Sequence, residues 1–318
     1  MTNQQRIDLR SVMVETFIEV VEQNANIAVV VSDSTSTAKI KPFQEKFPER
    51  LVNVGIAEQN LVGIAAGLSL GGFTVVTTNA ACFLTTRAAE QVKNDVCYSQ
   101  TNVKLVGLNA GVCYGPLAST HHAIDDVSMM LGLGNILILV PSDPIDAKQI
   151  FEYALQYDGP VYVRMDNDKF PLIHKEGYQF QPGRADILTE GSDLTIVTMG
   201  STAHEAYFAA EELKKDSIDT EVVNISSIRP LDQESIANSI DKTQRVITVE
   251  EHSLHGGLGS IVSGIIAEQK LQASMVQLGI PNGQFSKAGP RSEIRAYYKI
   301  DKDGIIETAK QLITKSKK

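Results

Sequence analysis

The strongest constraint in this sequence is an alternation. A short run of aliphatic, often β-branched residues is followed by a segment of helical periodicity, and then by another such run. NIAVVVS at 26–32, LVNVGI at 51–56, FTVVTT at 73–78, VKLVGLN at 103–109, ILILV at 136–140 and PVYVR at 160–164 are the strand-like runs. They are apolar on both faces for most of their length, as expected of strands covered on both sides. Helical patterns occupy 10–23, 58–70, 81–98 and 144–157. Strands that alternate with helices at this spacing form a mostly parallel, doubly wound sheet. Residues 167–191 break the pattern with Pro, Gly and charge. Alternation then restarts, with strands at 194–199, 219–224, 245–250 and 274–278 and helices at 203–214, 232–240, 258–269 and 303–315. The expected class is α/β, with two doubly wound, mostly parallel sheet domains at 1–170 and 193–318 and a linker at 171–192.

Composition narrows the function. The 318 residues are 43% apolar and 21% charged, enough for ordinary cores. The formal net charge of −9 argues against a nucleic-acid surface, so an anionic ligand must be held by local donors. Three cysteines without a CxxC pair argue against a disulfide framework or zinc site. The start MTNQQRIDLR lacks an apolar signal core, and no apolar run reaches the length of a membrane span. The expectation is a cytoplasmic protein with no membrane contact.

The stretch 51–72, LVNVGIAEQNLVGIAAGLSLGG, places one carboxylate, Glu58, between a short strand and a helix that is apolar on almost every side. Such a helix is expected to be buried. A carboxylate at its start must be paired, hydrogen-bonded or held neutral. Spacing leaves two readings open: a helix cap that reaches water, or a working carboxyl in a dry cleft. In open parallel sheets ligands bind beyond the carboxyl ends of the strands. Asp33, Glu58, Asn79, Asn109 and Arg164 all follow or end strand-like runs, so one edge gathers them. His121 and His122 lie in a Gly/Ser/Thr loop, and adjacent histidines diverge too much for good metal geometry.

Several motifs carry a family resemblance. NVGIAEQNLVGIAAGL at 53–68, THHAIDDVSMM at 120–130, PSDPIDAKQ at 141–149 and GPVYVRMD at 159–166 resemble the thiamine diphosphate-dependent transketolases. So do IRPLD at 228–232, VEEHSLHGGLG at 249–259 and YKIDKDGI at 298–305. The resemblance spans the chain but covers only the carboxyl-terminal half of a full-length transketolase. It implies a pyrimidine-binding domain followed by a transketolase carboxyl-terminal domain, as in the smaller subunit of a split enzyme. The family holds the cofactor diphosphate through Mg2+ or Ca2+ on a GDG…N motif that this sequence lacks. The resemblance therefore implies an amino-terminal partner subunit that supplies the metal site, a dimer of this chain at the core of an α2β2 assembly, and no activity for this subunit alone.

The resemblance also implies residue roles. Glu58 would hydrogen-bond N1′ of the aminopyrimidine and favour the tautomer that removes the thiazolium proton. Phe83 would pack on the pyrimidine, with Arg87 and Gln91 following on the same helix face. Asp33 would lie near the thiazolium, His121 would contact the sugar, and Arg164 would grip the sugar phosphate. The reaction implied is transfer of a two-carbon ketol unit from a ketose to an aldose. There are departures. Leu117 stands where an aspartate recognises a sugar hydroxyl, Asn109 where a phosphate-binding histidine is usual, and Ala80 where an aromatic is usual. They point to a non-standard ketose, such as a sulfonate or a branched sugar phosphate. Two alternatives remain at this level: a related enzyme, either a 2-oxoacid dehydrogenase beta subunit or a deoxyxylulose phosphate synthase, and a non-catalytic partner subunit.

Overall fold

The computed structural model describes residues 6–23, 26–33 and 35–315. Residues 1–5 and 316–318, the ends of the two expected domains, and Ser34 in the loop after Asp33 lie outside them. Seven strands form the first sheet, in the order Ser227–Arg229, Leu137–Leu139, Val161–Arg164, Val103–Leu108, Thr74–Ala80, Ile27–Val31, Leu51–Asn53. The last six are mutually parallel, and Ser227–Arg229 alone runs antiparallel. The register aligns their carboxyl ends: Val31 faces Asn53 and Thr78, Ala80 faces Leu108, and Gly107 faces Arg164. This edge is where the polar residues singled out in the sequence emerge.

Two apolar layers cover the sheet. Leu61, Val62 and Ala65 of the Glu58–Leu70 helix pack on one face with Leu84, Val92 and Val96. Leu9, Met13 and Phe17 of the Leu9–Glu22 helix pack on the other with Ile150 and Phe151 of Pro144–Gln156. The Glu58–Leu70 helix is not buried all round, contrary to expectation. Gly63 and Gly67 open onto empty space, while Ile56 and Leu70 are 74% and 79% exposed. A single chain supplies only one wall for this helix. The expected 81–98 helix is also divided, into Ala81–Thr86, Ala89–Gln91 and a π-helical Val92–Tyr98.

The second sheet has the order Ser274–Ile280, Arg245–Ser253, Leu194–Thr198, Thr220–Asn224, Asp186–Thr189, with only the last strand antiparallel. Residues 171–192 do more than connect. Lys169–Pro171 pairs with Arg6–Asp8, and Asp186–Thr189 is an edge strand of the second sheet. Between them His174 is buried, with Nδ1 3.1 Å from Asp143 and Nε2 3.0 Å from Asp186. Burial pulls its pKa down, but the two carboxylates beside the ring and the charge of Asp146 outweigh it and raise the pKa to about 10. The imidazolium thus joins the first domain to the second sheet. Among the described residues no helix is long and apolar enough to cross a membrane.

Candidate active site

Glu58 opens its helix at the carboxyl edge of the first sheet and is 3% exposed. It does not reach water as a cap. Its Oε2 accepts from Arg87 Nη1 at 2.7 Å. Burial would raise its pKa, but the Arg87 guanidinium, its own backbone N–H and the neighbouring Asn79 amide hold it below the ordinary 4.5. Of the possibilities left by the sequence, the structure selects the paired carboxylate.

Arg87 also lies over Phe83, with Cζ 4.5 Å from the ring centroid. On the same ring His121 makes an edge contact at 5.2 Å, and Tyr114 touches His121 at 5.4 Å. Glu58, Arg87, Phe83, His121 and Tyr114 therefore form one continuous group. Asp33 follows Ile27–Val31 on the exposed edge, and its charge contributes to raising the Tyr114 pKa, for which burial is the main cause. His121 Nδ1 is 2.9 Å from Thr120 Oγ1. Asn109 closes Val103–Leu108 with φ +57° and is buried, and neither polar atom of its side chain makes a close hydrogen bond. Leu117 stands on the loop before His121 and is 52% exposed.

Arg164 is held by a buried network of its own. It is 4% exposed, its Nε donates to Asp126 at 2.9 Å, and its Nη2 donates to the carbonyls of Ala123 and Glu251 at 3.2 and 3.0 Å. A buried guanidinium requires a counter-charge, and Asp126, fully buried, provides it. In this arrangement Arg164 braces the floor of the loop. Tyr162 donates to the same Asp126 at 2.7 Å.

Sequence reasoning missed the residues that support the loop. Glu251 accepts from the Val112 N–H at 2.8 Å and from Arg295 Nε at 2.6 Å. Arg291 bridges Glu251, at 3.0 Å, to Asp166. Burial would raise the Glu251 pKa, yet Arg291 and Arg295 keep it low. Gly111 has φ +65°, and a Cβ there would stand 2.7 Å from Glu251 Oε1, so the close approach requires glycine. The EEH run at 250–252 was the available signal, but its spacing does not reveal a partner 139 residues away. Among the described residues no group of three or more His, Cys, Asp or Glu is placed to hold a metal ion.

A family model for the transketolase pyrimidine binding domain matches residues 5–171, and one for the transketolase C-terminal domain matches residues 183–305. The chain belongs to the transketolase family. Transketolases depend on thiamine diphosphate, and the function of this transketolase chain is of that type. It is 52% identical over 304 residues to one subunit of the apulose-4-phosphate transketolase of Actinobacillus succinogenes, covering 96% of this chain and 98% of the relative. The subunit of the same name from Phocaeicola vulgatus is 37% identical over 310 residues, covering 97% and 98%. A solved structure described as a split gene transketolase, inactive beta4 tetramer, superimposes with a TM-score of 0.86 at 33% identity, covering 98% of this chain and 99% of that one.

Proposed function

We propose that this chain is the carboxyl-terminal subunit of a two-subunit transketolase, which moves a two-carbon ketol unit from a phosphorylated ketose of the apulose 4-phosphate type to an aldose. The observation that carries the reading is the intact pairing of a dry carboxylate, Glu58, with an aromatic ring, Phe83, linked through Arg87. The two relatives named for apulose 4-phosphate favour this substrate class over the sulfonate and over decarboxylating chemistry. Both are named as one subunit of such an enzyme, and the solved relative is described as an inactive tetramer. These names support an amino-terminal partner that holds the diphosphate and its Mg2+ or Ca2+. The open Gly63/Gly67 side of the Glu58–Leu70 helix, flanked by Ile56 and Leu70, supports self-association across that face.

The residues present suit an aminopyrimidine. Gln91 Oε1 and both polar atoms of Asn109 are buried and make no close hydrogen bond. Unpaired buried donors and acceptors are costly unless a ligand completes them. When bound, thiamine diphosphate supplies the electron sink for carbon–carbon bond cleavage. Glu58, a carboxylate shielded from water, would accept a hydrogen bond from the pyrimidine, and the shielding strengthens that bond. Phe83 provides a flat apolar face, and Asp33 places negative charge at the exposed edge. His121, fixed between Phe83 and Tyr114, presents its remaining ring nitrogen to a sugar oxygen. Leu117 offers that sugar an apolar neighbour in place of a hydrogen-bond acceptor. Arg164 sets the depth of the loop from beneath.

Co-expression with a partner carrying GDG…N, followed by a ketose panel, tests the reading. The expected result is preferential transfer from apulose 4-phosphate, abolished by Glu58→Gln. Equal or greater activity with xylulose 5-phosphate would remove the substrate assignment, and full activity of Glu58→Gln would remove the catalytic one.

A further inference from the structure

Ala118, between Leu117 and Ser119, has φ 62° and ψ −162°. That region is almost closed to residues with a side chain. Occupying it costs about 1–3 kcal/mol, and the conformation persists only where its surroundings over-determine it. Within the loop, the Ala118 carbonyl accepts from the N–H groups of His121 and His122 at 2.9 and 3.1 Å. Further restraints come from the other domain. Ser119 Oγ donates to the Ser286 carbonyl at 3.1 Å, and His122 Nδ1 hydrogen-bonds Ser286 Oγ. Gly115 lies so close to the Gly289 carbonyl that a Cβ would approach it to 2.7 Å.

The proton positions follow. His122 Nε2 is 3.0 Å from the Gly115 carbonyl, which can only accept, so Nε2 carries hydrogen. Burial holds the His122 pKa below the ordinary 6.5, and the ring is neutral at neutral pH. Nδ1 is then a lone-pair acceptor, and the Ser286 hydroxyl donates to it. Ser286 thus grips the loop twice, through its hydroxyl and through its carbonyl.

We propose that Ser286 is a positioning residue: from the carboxyl-terminal domain it holds the strained Ala118 turn and thereby sets where His121 and Leu117 meet the sugar. The proposal rests on the reading of Leu117 and His121 as residues that face the sugar, so its test includes a readout independent of catalysis. Amide hydrogen exchange on the purified chain should show the His121 and His122 N–H groups exchanging about tenfold faster in Ser286→Ala, with the rest of the chain unchanged. Ser286→Thr, which keeps the hydroxyl, should retain protection. Ala118→Gly relieves the turn and should restore most of the protection in the Ser286→Ala background. In the assembled enzyme, Ser286→Ala should raise KM for the ketose phosphate about tenfold and leave cofactor affinity unaltered. Unchanged exchange in Ser286→Ala would overturn the proposal, as would loosening spread evenly over both domains. A double variant no better protected than Ser286→Ala would overturn the role given to strain. If exchange responds as expected and no ketose is turned over, the clasp stands and the transketolase reading falls.

Discussion

Replacing Arg87 by Met tests the electrostatics of the site most directly. The substitution keeps an apolar stem beside Phe83 and removes the guanidinium that holds Glu58 at 2.7 Å. A hydrogen bond to a charged group contributes about 1.5–3 kcal/mol. The Arg87 side chain is 48% exposed, so water screens it and reduces the figure to about 1–2 kcal/mol. Loss of the cation–π contact adds about 0.5–1 kcal/mol. Arg87→Met should therefore destabilise the purified chain by about 1.5–3 kcal/mol at pH 7. A double-mutant cycle with Glu58→Gln, followed by urea denaturation, isolates the pair and should return a coupling of about 1–2 kcal/mol. The pH dependence has a definite sign. A carboxyl whose folded pKa lies below its ordinary 4.5 contributes stability at higher pH and loses it as pH falls through the folded value. The gap between wild type and Arg87→Met should thus be full at pH 7 and shrink below about pH 4.5. In the assembled enzyme the same substitution should move the acid limb of the rate profile upward, because Glu58 would protonate at higher pH. A coupling indistinguishable from zero, or a gap that does not change with pH, would refute the assignment of Arg87 as the group that keeps Glu58 ionised.

Three further outcomes are expected. His174→Gln should destabilise by about 2–4 kcal/mol at pH 6, because Asp143 loses its buried counter-charge while the partly exposed Asp186 is compensated by water. Since the folded pKa is raised to about 10 from 6.5, the contribution is complete below 6.5 and lost as pH rises through 10; denaturation midpoints of the two proteins should converge above that pH. Gly107→Ala should cost about 1–3 kcal/mol by overpacking, as its Cβ would press on the Tyr162 ring and loosen the Tyr162–Asp126 bond; unchanged thermal unfolding would contradict this. Leu117→Asp should improve the xylulose 5-phosphate to apulose 4-phosphate ratio about tenfold in the assembled enzyme, by giving a sugar hydroxyl an acceptor.

Local pattern made much of the architecture readable. The strand at 26–32 appears as Ile27–Val31, the helix at 144–157 as Pro144–Gln156, and the helix at 258–269 as Leu258–Gln269, because apolar periodicity and caps such as Asp143 act over a few residues. What pattern could not show depends on distant partners. Ser227–Arg229 has no strand signature of its own and exists because Leu137–Leu139 offers an edge. The 171–192 segment looked like a linker because its order comes from Arg6–Asp8, Asp143 and Thr220–Asn224, none of them nearby in sequence.

The site divides along the same line. Strand order alone pointed Asp33, Glu58, Asn79, Asn109 and Arg164 to one sheet edge, since parallel strands deliver their following residues to the same side, and the resemblance added Phe83 and His121. Only the tertiary structure decided the charge states and the supports. Arg164 turned inward because Asp126 was the counter-charge within reach, and Glu58 stayed ionised because a helical turn beyond Phe83 brought Arg87 to it. Packing distances, unlike periodicity, are set by the whole fold at once, and electrostatics in a dry interior follows distance.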